Sequence, residues 1–482
     1  MQQTNFQSYI QQAGLQAKPH QVDGVAWMLS REHTHDNGVR GGIVADEMGL
    51  GKTIMMIGTM LANLRDRTLI VLPVALLDQW KEQIFRTTGH EVLVYHGKTK
   101  TYTPLAKLMA ARVVLVTYNE VQISLKEFSL KPESAVHKVV WDRVIFDEAH
   151  HLRNKTAMQN GANKLRADIK WMITGTPIQN KLQDMYSLCH VLGYEDTYYS
   201  STDGMDEILA KGMIRRTKAD VGIGMPKLVS TDVSVSWKND DDTTLAEELQ
   251  QVSISGFGEG FGDGIRSDAG DMDATVKLLG MIRSKQMCVY PKMLRRKVDE
   301  YYDEGFFDED YAKMAFHAVS GSSKLDAVFA KVQENAANGN QKLVFCHFRM
   351  EMDELKKRFE GLGLKTGIVD GRIKGKKRTE LLVMGDLDVL ILQINTCCEG
   401  LNLQQFNEIY FVSPHWNPAV EDQAVARAHR MGQKKDVQVY RFYMQGCDYA
   451  YDPTSGSFNT IDGSLETYCK FRQDRKREIY IK

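Results

Sequence analysis

The sequence predicts an α/β chain of two lobes, each a parallel sheet covered by helices, joined by a helical middle. Between Gly41 and Thr174, short β-branched runs alternate with helix-length segments. From about residue 180 to 310 that alternation stops, and Met, Tyr and charge dominate; it resumes from Lys342 to Met444. Continuous apolar runs of this kind mark strands buried on both faces, as parallel sheets require. At 482 residues the chain also exceeds what one core organises.

In the first lobe the strand candidates are GGIVA (41–45), TLIVLP (68–73), VLVYH (92–96), RVVLVTY (112–118), RVIFD (143–147) and KWMIT (170–174). In the second they are KLVFCHF (342–348), KTGIVD (365–370), DVLILQI (388–394), EIYFVS (408–413) and VQVYRFYM (437–444). Between them, SISGFGEGFGDGIRSDAGDMDA (253–274) is dense in Gly and Asp and reads as a mobile insertion. The implied boundaries are 1–225 for the first lobe, 226–317 for a helical insertion and linker, 318–456 for the second lobe, and 457–482 for a basic terminal helix.

Composition narrows the classes. Hydrophobic content of 43% and charged content of 26% are those of an ordinary soluble protein. No apolar run approaches the roughly 20 residues of a membrane span, and the first residues lack a signal peptide's basic start and apolar core. Seven cysteines without a Cys-x-x-Cys pair argue against structural zinc and a disulfide framework, and for a reducing intracellular compartment. Nucleus, cytoplasm and viral replication site stay open. A net charge of −1 gives no global attraction to nucleic acid. Basic runs are local: GRIKGKKR (371–378), KMLRRK (292–297) and the tail KFRQDRKREIYIK.

The stretch GGIVADEMGLGKTIMMIG has the order strand, glycine loop, Lys-Thr, helix. Backbone N–H groups and a helix N-terminus there face phosphate oxygens. Asp46, Glu47, Met48, Gly49, Leu50, Gly51, Lys52 and Thr53 are the candidate ATP-binding residues, with Lys52 supplying charge and Thr53 a hydroxyl for Mg²⁺. The generic Gly-x-x-x-x-Gly-Lys-Ser/Thr pattern fails only at its first position, where Asp46 stands. Downstream, RVIFDEAHHLRN ends a strand in two carboxylates. Asp147 suits Mg²⁺ held through water, and Glu148 suits a group that orients or deprotonates the attacking water.

DEMGLGKT, DEAHHLRN and TGTPIQN (174–180) resemble motifs I, II and III of the Swi/Snf family, a branch of the superfamily 2 helicase-like motors in which the first loop glycine is ordinarily Asp. LQAKPHQVDGVAWML resembles the family's Q motif and implies that Gln21 reads adenine. LIVLPVALLDQW and VLVTYNEV resemble motifs Ia and Ib. HWNPAVEDQAVARAHRMGQ resembles motif VI; Gln423, Arg427 and Arg430 stand at a spacing that lets both arginines share one helix face, and a guanidinium suits the γ-phosphate. INTCCEGLNLQ occupies the place of motif V, with Cys397-Cys398 where the family has Gly-Gly.

The resemblance implies two RecA-like lobes with helical insertions, a bracing terminal helix, and use of ATP with Mg²⁺. It implies Thr117, Thr174, Gly175, Thr176, Asn180, Gly400, Asn402 and Trp416 as coupling or DNA-contact residues. Lys292, Arg295, Arg296, Arg372, Lys374, Lys376, Lys377 and Arg378 are candidate grips on DNA phosphates. The expected activity is ATP-driven translocation on double-stranded DNA without full strand separation, with a DNA-bound protein as possible cargo. A strand-separating DNA or RNA helicase, and a binding switch that does not hydrolyse ATP, are the alternatives.

Overall fold

The computed structural model describes residues 10–11, 14, 18–123, 134–153, 157–178, 182–255, 274–373, 380–381, 385–394, 401–445, 450–452, 457–459 and 464–481. The chain forms two compact units, residues 1–225 with 478–482, and residues 226–477.

The first unit is built on seven strands: β1 (Gly41–Val44), β2 (Thr68–Leu72), β3 (Leu93–Tyr95), β4 (Val113–Thr117), β5 (Val140–Asp147), β6 (Arg166–Ile173) and β7 (Met213–Ile214). Their order is β3-β4-β2-β5-β6-β1-β7, and every neighbouring pair is parallel. Alternate residues feed two apolar layers. Ile43, Leu69, Val71, Val144 and Phe146 enter one core, while Val44, Ile70, Leu72 and Ile145 enter the other. A two-residue side-chain period with both faces apolar is what the continuous β-branched runs encode.

The second unit repeats the plan with β8 (Leu228–Val235), β9 (Gln341–Cys346), β10 (Thr366–Val369), β11 (Val389–Gln393), β12 (Phe406–Phe411) and β13 (Val437–Met444), in the order β10-β11-β9-β12-β13-β8 and again all parallel. Val344 and Ile391 face one core, Leu343 and Leu392 the other. A short antiparallel pair, β14 (Ala450–Asp452) with β15 (Ser457–Asn459), follows. Both sheets are those of RecA-like lobes.

One feature departs from the sequence reading. Leu228–Val235, inside the stretch read as helical insertion, pairs with all eight residues of β13. It is a largely exposed edge strand, so its polar alternation carried no buried-strand signal. Within the terminal segment 457–482, the helix itself runs over Leu465–Ile481. Its first turns dock on the second unit. Glu466, 1% exposed, accepts from Ser413 Oγ at 2.7 Å and the Met444 amide at 2.8 Å, and pairs with the buried Lys324. Helices Asp240–Ser255, Ala274–Val289, Arg295–Asp303 and Glu309–Ala318 form the insertion, with a small core of Leu245, Met287, Leu294, Val298 and Ala315. Of the stretch read as mobile, 253–255 and 274 belong to the first two of these helices, and 256–273 lie outside the described residues.

The first sheet is tied to the helix Pro19–His33 by one fully buried carboxylate. Glu32 receives Arg143 Nε at 2.6 Å and Nη2 at 2.5 Å, Trp171 Nε1 at 2.8 Å and Asn63 Nδ2 at 2.7 Å. Glu32→Ala leaves the Arg143 guanidinium buried without its counter-charge, and is expected to cost ~3–5 kcal/mol. Urea unfolding followed by Trp fluorescence checks this; a midpoint unchanged from wild type contradicts it.

Candidate nucleotide site

The C-terminal ends of β1, β4, β5 and β6 converge on the loop that follows β1, where ligands bind in open parallel sheets. Gly49 has φ 92° and Gly51 φ 88°, a left-handed backbone that other residues adopt only under strain. Gly51 caps the helix Lys52–Ala62, and a Cβ on it would stand 2.4 Å from Gln21 Nε2. The loop therefore demands glycine at both positions. Lys52 Nζ donates to the Asp46 carbonyl at 2.7 Å, folded back over the loop it would leave for a phosphate. Thr53 follows it in the first helical turn.

Asp46 has a structural role of its own. Its side chain is fully buried, and Arg216 grips it through Nε at 3.0 Å, Nη2 at 2.5 Å and the backbone amide at 3.0 Å. Arg216 Nη1 reaches on to the His20 carbonyl at 2.5 Å. The next residue repeats the pattern: Glu47 accepts from the Lys218 amide at 2.7 Å and pairs with Lys218 Nζ at 3.0 Å. Backbone bonds from Ala45 to Ile214 and from Glu47 to Arg216 continue the β1–β7 pairing into the loop. An Asp in place of the usual glycine thus fastens the loop to the segment 213–218. His20 Nε2 and Gln21 Nε2 both lie on the Leu50 carbonyl, at 3.1 and 3.2 Å.

Asp147 ends β5 with its carboxylate nearly sealed from solvent. Trp80 Nε1 donates to Oδ2 at 2.6 Å and the Glu148 amide to Oδ1 at 3.0 Å. Burial, then the neighbouring Glu148 charge, pushes Asp147 up to about 7, against the pull of these bonds and of Lys52. A buried carboxylate under that strain fits a site meant for a divalent cation. Asp147 and Thr53 would hold Mg²⁺ there, and the ion would neutralise phosphate charge. Glu148 itself sits at φ 51°, one of two non-glycine residues in the left-handed region among the described residues. Strain of this kind collects where a side chain must be aimed for function. His150 Nδ1 stands 3.3 Å from the Glu148 carboxylate, and His150, His151 and Tyr118 stack in series. Tyr118 donates to the Asp147 carbonyl at 2.8 Å, which links the end of β4 to the acidic pair.

Thr174, fully buried, extends β6 by donating its amide to Val44 at 3.1 Å, and its hydroxyl accepts from the Thr176 amide at 3.1 Å. A Cβ on Gly175 would meet Met48 Cγ at 2.9 Å and Lys52 Nζ at 3.6 Å, so this turn lies directly against the loop. Thr117, buried at the end of β4, lies 3.2 Å from His96 Nδ1. Asn180 lies outside the described residues.

In the second unit, Asn417 caps the helix Pro418–Ala428 by accepting from the Ala419 amide at 3.1 Å. Gln423 is buried in that helix, and Arg427 stands in its last turn. Arg430 lies two residues past the helix end, so the two arginines do not share a helix face as the spacing suggested. The chain turns at His429 instead, and Arg427 still stands close enough that its charge, after burial, lowers Arg430 from the ordinary guanidinium range. Arg427 and Arg430 thus bring two guanidinium charges to one partly desolvated turn. Gln433 Nε2 bonds the carbonyls of Gln404, Phe406 and Ala428, at 2.9, 3.2 and 3.2 Å, and the Leu403 amide bonds Arg427 O at 3.1 Å. These bonds sew residues 401–406 to the arginine turn. Asn402 is exposed and Trp416 half-buried; Gly400 and Cys397-Cys398 lie outside the described residues.

The candidate phosphate grips look different in place. Arg295 and Arg296 pair with Asp299 and Glu300 one turn on, at 3.2 and 2.9 Å. Arg372 is held by Asp353 at 2.8 Å and Asp370 at 2.6 Å. Lys292 lies 5.8 Å from the Tyr290 ring. Lys374, Lys376, Lys377 and Arg378 lie outside the described residues. Sequence reading missed Trp80, Tyr118 and Arg216 as members of the site, although Trp80 and Tyr118 fall in stretches already singled out.

Residues 20–255 match the SNF2-related domain and residues 323–432 the helicase conserved C-terminal domain. The chain is 28% identical to a probable global transactivator of Orgyia pseudotsugata multicapsid polyhedrosis virus, over 95% of this chain and 89% of that protein. It is 25% identical to the ISWI chromatin-remodeling complex ATPase ISW2 of Saccharomyces cerevisiae, over 88% of this chain but 38% of that protein. Among solved structures, the Pyrococcus furiosus Hef helicase domain shares the fold with a TM-score of 0.54 at 16% identity, covering 89% of this chain and 96% of that one.

Trp80→Phe keeps an aromatic ring, though a smaller one, and removes the donor to Asp147. Losing a hydrogen bond to a charged group costs ~1.5–3 kcal/mol, so the Mg²⁺ needed for half-maximal ATP turnover is expected to rise roughly tenfold or more. A Mg²⁺ titration of ATPase activity checks it; an unchanged midpoint would mean that Trp80 only fills space.

Proposed function

Because the chain belongs to the SNF2 family of helicase-like, DNA-dependent ATPases, we propose that it is a translocase on double-stranded DNA that remodels DNA or protein–DNA complexes without full strand separation. The observation that carries this reading is the intact hydrolytic set. The glycine loop with Lys52 and Thr53 and the acidic pair Asp147-Glu148 surround one site in the first unit. Arg427 and Arg430 supply guanidinium charge in the second.

In this reading Lys52 leaves the Asp46 carbonyl for the outer phosphates of ATP, and Gln21 reads the adenine. Thr53 and Asp147 would hold Mg²⁺, which would supply charge to neutralise the phosphates. Glu148, fixed by its left-handed backbone, orients the attacking water and takes its proton. Arg427 and Arg430 act on the γ-phosphate, whose loss on hydrolysis removes the charge they answer to. Thr174–Thr176 lie against Lys52 and Met48, and residues 401–406 are sewn to the arginine turn. In this reading both loops carry the nucleotide state to the DNA-contact residues. DNA contacts fall mainly on phosphates, so binding is salt-dependent and weakly sequence-specific. The pairing of Arg295, Arg296 and Arg372 with carboxylates favours other residues as the main grips. A DNA-bound protein is the proposed cargo. Among the described residues no helix is long and apolar enough to cross a membrane.

ATP hydrolysis measured without nucleic acid, with single-stranded DNA, with duplex DNA and with RNA tests this reading. Duplex DNA is expected to stimulate most. Lys52→Ala and Arg430→Ala should each lower the stimulated rate by about 10³-fold or more, the range known for such arginines. Equal stimulation by single strands or RNA would favour a strand-separating helicase. Absence of turnover under every condition would leave a binding switch.

A further inference from the structure

The first sheet carries a second concave site at the edge opposite the nucleotide loop. A cavity of about 190 Å³ opens where β2, β4 and β5 begin, between the ends of the helices Lys52–Ala62 and Leu77–Thr88. Its floor is apolar, made by Ile57, Met60, Ile84 and Val113. Leu64 stands at the rim, 68% exposed in spite of its apolar side chain. Cavities near 150 Å³ hold a benzene-sized group, so this one takes a single leucine or phenylalanine side chain.

The charge around it has one sign. Arg65, Arg112 and Arg143 line the cavity, and no Asp or Glu does. Arg143 is neutralised from behind by Glu32, with Nη2 at 2.5 Å from the carboxylate. Arg65 and Arg112 have no such compensation: neither forms an ion pair among the described residues, and the Arg65 Nε is buried without a hydrogen-bond partner among them. A buried donor left unpaired is costly, and an anion brought to the rim would satisfy it.

We propose that this cavity docks a segment of a partner protein in which a leucine or phenylalanine is flanked by aspartate or glutamate. The apolar side chain fills the cavity, and a flanking carboxylate bonds Arg65 and Arg112, a fork geometry suited to carboxylates. The site is too small for a long acyl chain. It lies at the N-terminal ends of the strands, whereas Asp46, Thr117, Asp147 and Thr174 all lie at the C-terminal ends. Occupancy therefore leaves the nucleotide loop accessible, which suits a tether that recruits the motor rather than one that blocks it.

The full chain, fluorescently labelled, can be applied to an array of heptapeptides. The central residue is Leu, Phe, Ala or Lys, and the flanks are Asp/Glu, Ser or Lys. Wild type should retain most strongly on Leu or Phe between acids. The double variant Arg65→Glu/Arg112→Glu should bind those peptides about tenfold or more weakly, as loss of a charge-assisted contact implies. Leu64→Asp, a change at an exposed side chain, should weaken the same peptides. ATP turnover without DNA should stay at the wild-type rate in both variants, which shows that they fold. The proposal is overturned if wild type shows no preference for acid-flanked apolar centres, if charge reversal leaves the pattern unchanged, or if octanoate binds the cavity while no peptide is retained.

Discussion

A carboxylate removed from solvent has to be matched by a cation and by hydrogen-bond donors. Asp46 finds all of them in Arg216, a residue 170 positions further along the chain. This contact sets the shape of the nucleotide loop. It brings the segment 213–218 alongside β1 as a seventh strand and its extension, and it reaches His20 through the same guanidinium. Helix Pro19–His33, the loop and β7 therefore meet at one charge pair. Where a glycine would leave the start of the loop pliant, the Asp–Arg pair holds it in place before any phosphate arrives.

The rest of the site is arranged around that fixed loop. Gly49 and Gly51 let the backbone curl, Gly175 lets the turn after β6 close down on Met48 and Lys52, and Trp80 with Tyr118 steadies the Asp147 end of β5 from two sides. The Gly175, Trp80 and Tyr118 contacts each join residues far apart in sequence at the C-terminal end of the sheet. Burial of Asp147 beside Glu148 gives the site a carboxylate held near neutrality that a cation would ionise. The second unit follows a comparable logic on its own sheet, where Gln433 and the Leu403–Arg427 bond hold the arginine turn against residues 401–406.

Much of this was legible in the chain itself, because it rests on local chemistry. Continuous runs such as TLIVL and VIF announce strands buried on both faces, and all eleven strand candidates are strands in the fold. The glycines around Lys52, and the acid pair after RVIF, declare their chemistry through residue type and spacing. What was not legible depends on pairing at a distance or on exposure. Arg216 carries no mark of its partner. Trp80 looks like any core tryptophan. The edge strand Leu228–Val235 buries little, so its alternation is polar and resembles a linker. Arg430 was placed on a helix face by arithmetic that assumed the helix continues, whereas the chain turns after Ala428. The same blindness applies to the Arg65–Arg112 rim, which exists only because β2 and β4 are neighbours in the sheet.

The central claim is that the Asp46–Arg216 pair, and not either residue alone, organises the loop for ATP. It is tested most directly by measuring the Kd for Mg·ATP in wild type, Asp46→Ala, Arg216→Ala and the double variant. Each single change should weaken binding by roughly tenfold, and the double change should be little worse than either, as expected for partners in one interaction. Losses that multiply in the double variant, or a single change that leaves binding intact, would contradict the account.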